Sequence, residues 1–548
     1  MRPITSLWLG GLLALSLQAQ NPAPAAVLNP ASNIPTGHPN TGIAQGSIFV
    51  VYPAFAAGVR VGGRLGPDTL AQAPSLPLPV TLAGTSIKVT VSGTTVDCFM
   101  VYTLASQVAA VLPSNTPVGN GTLALTYNGA TGTVPIRVSQ SKFGISTVNQ
   151  SGSGPGVITF PDYQLVSSTK SAKPGDVLVA WGTGLGPANN DSGIATNGDL
   201  GTNLLVWVGG VQAAVEYRGR SSSPGLDQIN FIVPAGVAPG CAVSLVMQTG
   251  GPNSPNLSNT VTLPVMPNGG TCSDSALTGI PDSVLNPLLA KSSVKLAATE
   301  LWTENRLNNG TPAFEAQINA FFLNFTQQQL ASQLSGLLGT PEISAGSCSV
   351  TMRVGFTSGG GDDGGGPDAT GLDAGATITM APPSGAAYSL PGAGGFKGAY
   401  SASPTSTWPA GTWRQSNGTG GADVPPYSID ILVPQPVIWS NQTASIDRAQ
   451  PLNIKWTGGH PDGVVTVSGG NGFGSSQANS GNVTFTCVAR ASAGEMSIPA
   501  QVLMNVPASS FAGFLQISGE SRSTHAFSGF DLGLVLYENS RQYAPIWR

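Results

Sequence analysis

Charge is what this 548-residue chain has least of: Lys and Arg number 22, Asp and Glu 26, 9% in all, with a formal net charge of −4. Such a surface raises no positive field to gather nucleic acid or an anionic membrane. Histidine and cysteine are also scarce, at 3 and 5 residues. His38, His460 and His525 lie far apart and no C-x-x-C occurs, so no zinc site is expected. After residue 20 no uninterrupted apolar run approaches the length of a spanning helix, and no transmembrane segment is expected there. The motifs of common catalysis are missing too: there is no G-x-S-x-G elbow, no H-E-x-x-H, no P-loop and no nucleotide-binding glycine motif. Asp191-Ser192-Gly193 has the triplet of aspartic proteases without the second copy a carboxylate pair needs, and reads as a turn. His460, among turn formers, reads as an exposed hairpin residue. The expectation is a protein that is no enzyme and uses no cofactor.

What is abundant is glycine (72) and proline (44), with Val, Thr, Ser, Ala and Asn in short alternating stretches. That is the texture of many short strands joined by turns. The length predicts roughly three to five domains. At the N-terminus, Arg2, an apolar segment from Ile4 to Leu17 and then Gln18-Ala19-Gln20 follow the order of a secretory signal peptide. The expectation is a secreted or cell-surface protein. No Cys follows directly and the end at Ile546-Trp547-Arg548 carries no sorting motif, so no lipid or sorting anchor is expected.

Export makes the cysteines candidates for oxidation. Pairing within a folding unit predicts Cys241 with Cys272 and Cys348 with Cys487, leaving Cys98 as a buried thiol. Cys272 with Cys348 is the competing arrangement, since spacing alone leaves connectivity open.

The first half contains a repeat. Ala44 to Val51, Ile87 to Gly93 and Gln107 to Pro113 are matched in order by Lys173 to Ala180, Leu205 to Gly210 and Gln228 to Pro234. Val-Ser-Gly and Val-Gly-Gly fit hairpin tips, and Pro113 and Pro234 end strands by removing a ladder donor. About seven strands per copy is the size of an immunoglobulin-like sandwich. The run Pro174 to Pro187, followed by Val208-Gly209-Gly210-Val211 and Gln228 to Val237, resembles the IPT/TIG-type repeat of secreted acidobacterial proteins of the Solibacter C-terminal-domain kind. The resemblance covers roughly 27–266. The first copy departs from it, with Tyr52-Pro53-Ala54-Phe55 where the second has Trp181-Gly182-Thr183-Gly184. It implies a fold and an extracytoplasmic setting, and brings no catalytic residues.

Between Ser273 and Gly339, Phe314, Ile318, Phe321, Phe322, Phe325, Leu330, Leu334 and Leu337 or Leu338 recur at helical spacing, which predicts a helix there and a shorter one around Val294 to Trp302. Such a helical segment either covers the end of a sandwich or docks another envelope component. Strand runs then return at Ile429 to Val433, Leu452 to Trp456, Val464 to Ser468, Val483 to Cys487 and Gln501 to Val506. The run Ser358 to Asp368 reads as a solvated loop, its three carboxylates lacking the ligand order of an EF-hand.

The organisation predicted is a signal peptide (1–20), two IPT/TIG-like sandwiches (21–145 and 146–266), a helical connector (267–345), a β-rich domain (346–436) and a C-terminal Ig-like domain (437–548). The fold class is mainly β: tandem immunoglobulin-like β-sandwiches with a short helical segment in the middle. The one binding candidate is aromatic. Trp408, Trp413 and Tyr427 sit among Ser, Thr, Gly and Asn, where they either stack on sugar rings or cap the core. Two functions follow: Ig-like modules for adhesion, scaffolding or spacing, or an extracellular polysaccharide-binding protein. The partner is then a polysaccharide or another envelope protein.

Overall fold

The structure, a computed structural model, describes residues 21–548 apart from 57–58, 62, 252–253, 275–279, 281, 309–310, 328, 330–342, 355–368, 475–479 and 510–512. The expected signal peptide, the run Ser358 to Asp368 and the leucines from Leu330 to Leu338 lie outside the described residues.

Alternation builds the first sandwich. In Thr85–Val91 the side chains of Ile87, Val89 and Val91 are buried while Lys88 is exposed, the period of two expected of a strand covered on one face. Its sheet runs Ile43–Ala44, Ala130–Ser139, Gly119–Tyr127, Thr85–Val91, Thr81–Leu82, with Thr94–Asp97 also on Thr85–Val91. The facing sheet runs Pro24–Leu28, Ile48–Ala56, Gln107–Val111, Phe99–Leu104, Ala71–Gln72. Phe49, Met100, Leu123 and Ile136 fill the space between.

The second sandwich repeats this order. Gly144–Ile145, Val177–Thr183, Asp227–Ile232 and Val215–Arg220 form one sheet, and Val261–Val265, Gly240–Thr249, Leu204–Val208 and Val211–Ala213 the other. Its core holds Leu178, Val206, Phe231 and Leu245. Corresponding hairpins turn at Ser92-Gly93 (φ 49° and 79°) and Gly209-Gly210 (55° and 77°). Two successive positive φ values match the strand twist, which is why a glycine stands second in each tip.

A nine-stranded sheet organises the rest. Its order is Ser347–Val354, Gly481–Arg490, Val464–Phe473, Phe514–Thr524, Leu532–Tyr543, Ser293–Asn308, Thr311–Thr326, Thr370–Gly371, with Ala399–Ala402 also on Thr311–Thr326. One apolar face is covered twice. The small sheet Tyr388–Pro391, Thr377–Ala381, Gly411–Ser416, Ser428–Val433 packs over Leu301, Ile318, Phe322 and Val535. The strands Ile438–Trp439, Leu452–Thr457 and Glu495–Ile498 pack over Val467, Phe485, Cys487 and Ile517, with Trp456 in the same core. The chain is thus mainly β, a series of immunoglobulin-like sandwiches, with a short helix, Asp282–Leu289, in the middle. Among the described residues no helix is long and apolar enough to cross a membrane.

Three expectations are corrected. The segment read as helical around Val294 to Trp302 and from Phe314 to Phe325 is a long hairpin, Ser293–Asn308 against Thr311–Thr326 in continuous register. Ile318 and Phe322 enter the core beneath the small sheet, while Leu323 and Phe325 enter another with Leu288 of the short helix. Burial on both faces replaces alternation by an unbroken apolar run, which periodicity cannot tell from a helix. The stretch Gln501 to Val506 is no strand, for Ala500–Leu503 is helical behind Pro499, whose φ of −65° suits a helix entry. The divisions 267–345, 346–436 and 437–548 do not separate units, because strands from all three share the nine-stranded sheet. Its central pairing joins Leu296–Asn305 to Leu532–Arg541 in parallel, a contact between distant segments with no local signature.

Candidate functional site

The aromatic group singled out in the sequence is core, which corrects the sugar-stacking assignment. In Gly411–Ser416 the alternation exposes Thr412 and Arg414 and buries Trp413 completely. Its indole N–H donates to the Pro409 carbonyl (2.9 Å), Tyr388 stacks on it at 5.6 Å, and Trp408 meets it edge-on at 5.8 Å. Tyr427 lies against Phe322 and Phe527 at 5.7 and 5.0 Å. The apolar face of the large sheet covers all three, leaving no ring face for a ligand.

The remaining residues named from the sequence are dispersed. Cys241 is disulfide-bonded to Cys272, and Cys348 to Cys487 across neighbouring strands. Cys98 is a buried free thiol whose pKa burial pushes up, with Asp97 adding to the effect. Asp191 accepts the Ser114 amide (2.7 Å) and hydroxyl (2.6 Å), tying its loop to the first sandwich. His460 Nδ1 accepts the Asp462 amide. His525 Nε2 meets the Ser523 hydroxyl at 2.9 Å, and both histidines border a shallow depression that Asp430 also lines. Arg414 engages that carboxylate through two bonds, 2.9 and 3.2 Å, so it is not orienting an imidazole. Nucleophile, base and orienting acid are therefore not brought together at this point.

A site that sequence reasoning missed lies on the other face of the nine-stranded sheet. Register places Gln317, Trp302, Glu538 and Glu520 in one row across four adjacent strands, and Asn319, Glu300, Leu536 and Arg522 in the next. These two rows line a cleft of about 310 Å³. Trp302, Glu300, Glu520 and Glu538 are half-buried and Gln317 is exposed. Asn319 donates to Glu300 (3.3 Å), Thr466 donates to Glu520 (2.9 Å), and Arg522 stands 3.7 Å from Glu520. The Glu538 carboxylate meets its charged neighbours through space, with no side-chain hydrogen bond to the described residues. Burial, then the neighbouring Glu520 and Glu304 carboxylates, push its pKa up to about 7, while Arg522 opposes them. Burial also raises Glu300. Among the described residues no group of three or more His, Cys, Asp or Glu is arranged to hold a metal ion. The signal in the sequence was the alternation Glu300, Trp302, Glu304, legible only once the segment is a strand.

A second, larger cavity, about 570 Å³, lies between the second sandwich and the C-terminal half beside Cys348 and Cys487, lined by Trp207, Val246 and Met496. The seam between the first two sandwiches is instead filled by polar side chains. Arg220 and Asp227, both buried, form an ion pair; Arg220 also donates to the carbonyls of Gly46 (2.5 Å) and Gly186 (2.7 Å), and Asp227 accepts the amides of Gly184 and Leu185. Asn259 donates to Ala31, Ile145 and Gly152 carbonyls, and Asn29 to that of Thr183. Buried Lys142 donates to Asn40 and to the Leu257 carbonyl (2.9 Å), and desolvation holds its pKa well below the usual lysine range. His38 joins the first sandwich to the C-terminal half. Its Nδ1 accepts the Asn40 amide (3.0 Å), so its Nε2 carries the proton donated to the Asn505 carbonyl (2.8 Å).

No family model matches the chain, and no curated protein matches it. Among solved structures it is similar to a tetra-tandem repeat from the extending region of a large adhesion protein, at 11% identity over 93% of this chain and 97% of that one, with a TM-score of 0.12. Tandem Ig domains of titin match 41% of this chain and 90% of theirs at 10% identity and a TM-score of 0.12. Domains 5–6 of the S-layer protein SbsC match 41% and 92% at 14% identity and a TM-score of 0.16. At such scores the likenesses carry no argument about activity or partners, and the strand order above carries the fold.

Proposed function

We propose that this protein is a non-enzymatic, exported scaffold in which immunoglobulin-like sandwiches, the first two of the IPT/TIG kind, form a stiff array that holds a binding face away from its point of attachment. One observation carries the reading: the seam between the first two sandwiches is bridged by buried, hydrogen-bonded polar groups. A flexible tether joins its modules through solvated Gly/Ser linkers. Here Arg220, Asn259 and Asn29 bond across the joint, Asp227 pairs with Arg220 from within the second sandwich, and parting the units would break every one of the crossing bonds. Specific bonds at that density fix an angle, the requirement of a spacer or scaffold. The second function, polysaccharide binding, finds its support in the Trp302 cleft rather than in Trp408 and Trp413.

Small-angle X-ray scattering of the mature secreted chain tests the array. A single compact conformation in wild type, loosened in Arg220→Met and Asn259→Ala while circular dichroism stays unchanged, is the expected result. Scattering typical of freely jointed beads in wild type, or retention of the chain inside the cell, would overturn the proposal.

A further inference from the structure

The cleft on the face of the nine-stranded sheet opposite the small sheet, beside the stretch that the short helix covers, has the composition of a recognition site. Sheet faces turned to water ordinarily carry interspersed Thr, Ser and Lys. Here one indole, two primary amides, three carboxylates and a guanidinium converge on about 310 Å³. Those groups come from Ser293–Asn308, Thr311–Thr326, Phe514–Thr524 and Leu532–Tyr543, four neighbouring strands in the interior of the sheet order, so their spacing is set by ladder geometry. Rigid placement on strands is what a specific site needs.

Chemistry narrows the ligand. Glu300, Glu520 and Glu538 outnumber Arg522 as formal charges, which disfavours phosphates, nucleic acids and acidic glycans. The carboxylates are interleaved with Trp302 and Leu536, and the described residues contain no arrangement that would hold a metal ion. An apolar ligand would strand the carboxylates and amides without partners. What remains is a ligand with one apolar face and many hydroxyl groups. A sugar ring lays its C–H face on an indole, and its hydroxyls donate to carboxylates and accept from amides. Glu538, whose carboxylate lines the cleft without a side-chain hydrogen bond to the described residues, and Gln317, exposed at the rim, are the groups such hydroxyls would reach. The volume sits at the small end of ligand pockets, about 300 to 1,000 Å³.

We infer that this cleft binds a neutral sugar unit of an extracellular glycan, with Trp302 as the stacking platform and Glu300, Gln317, Asn319 and Glu538 as hydroxyl partners. The inference supplies the binding face that the scaffold reading calls for, and it is tested separately from it, because scattering reports the joint at Arg220 and not this cleft.

The full mature chain is titrated with neutral tetrasaccharides of glucose, mannose, xylose and N-acetylglucosamine, and with oligogalacturonate as the anionic probe, by calorimetry and tryptophan fluorescence. Binding of at least one neutral tetrasaccharide is expected, weakened at least tenfold by Trp302→Ala and by Gln317→Ala. Gln317 is exposed, so its variant is expected to fold as wild type does and keeps the test decisive if Trp302→Ala does not fold. Trp413→Phe, in the core beneath the small sheet, is expected to leave affinity unchanged. Silence with all four neutral probes, preference for oligogalacturonate, or neutral-sugar binding that survives both Trp302→Ala and Gln317→Ala would overturn the inference.

Discussion

His38 gives the joint between the first sandwich and the C-terminal half a defined response to acid. Its ring is buried, edge-on to Phe473 at 5.3 Å, and both nitrogens are committed: Nε2 donates to Asn505 and Nδ1 accepts from Asn40. A second ring proton would point at the Asn40 N–H. Burial, reinforced by Lys142 and Arg448 and opposed by the Asn505 carbonyl, lowers its pKa from 6.5 to about 4. A depressed pKa means that the unfolded chain binds the proton more readily. The stability tied to neutral His38 is therefore complete above pH 6.5 and is lost as pH falls towards 4, about 3 kcal/mol in total. The perturbation is His38→Gln, which keeps a donor for Asn505 and does not titrate. Urea unfolding of both proteins between pH 7 and 4 isolates the term, since the other titrating groups cancel in the difference. The wild-type advantage is expected to shrink on acidification with a limiting slope of about 1.4 kcal/mol per pH unit. Parallel curves, or a His38 proton resonance that titrates near 6.5, would refute the reasoning.

Other expectations follow from particular contacts. Arg220→Met leaves the Asp227 carboxylate buried without its cation and is expected to cost about 3–5 kcal/mol in urea unfolding. Glu538→Gln acts with the opposite sign to His38: an acid whose folded pKa is raised loses stability as pH climbs from 4.5 through about 7, so the variant is expected to melt higher than wild type at pH 8 and equally at pH 4. Trp413→Ala opens a void between the small sheet and the large one and is expected to cost about 3–5 kcal/mol, measured by thermal or urea unfolding.

How far the residues could be read depended on the range of the interactions involved. The two sandwiches of the first half were legible because their determinants are local. Ser92-Gly93 and Gly209-Gly210 demand tight hairpin turns, Ile87, Val89 and Val91 alternate with polar neighbours, and the same landmarks recur in order. The cleft was not legible, since Trp302, Gln317, Glu520 and Glu538 come from two hairpins that lie far apart in the chain and meet only through the parallel pairing of Leu296–Asn305 with Leu532–Arg541. The tryptophans of the small sheet misled for the same reason, because whether Trp413 faces water or core is decided by the sheet that covers it.

By itself, the sequence determined the β class and the duplicated sandwich, through turn chemistry and side-chain alternation that operate within a few residues. Only the tertiary structure decided that the second half shares one nine-stranded sheet, which stretches of its faces are covered, and which polar groups converge where one stretch is left open. Those outcomes depend on pairing between strands more than two hundred residues apart, and no short segment encodes its distant partner.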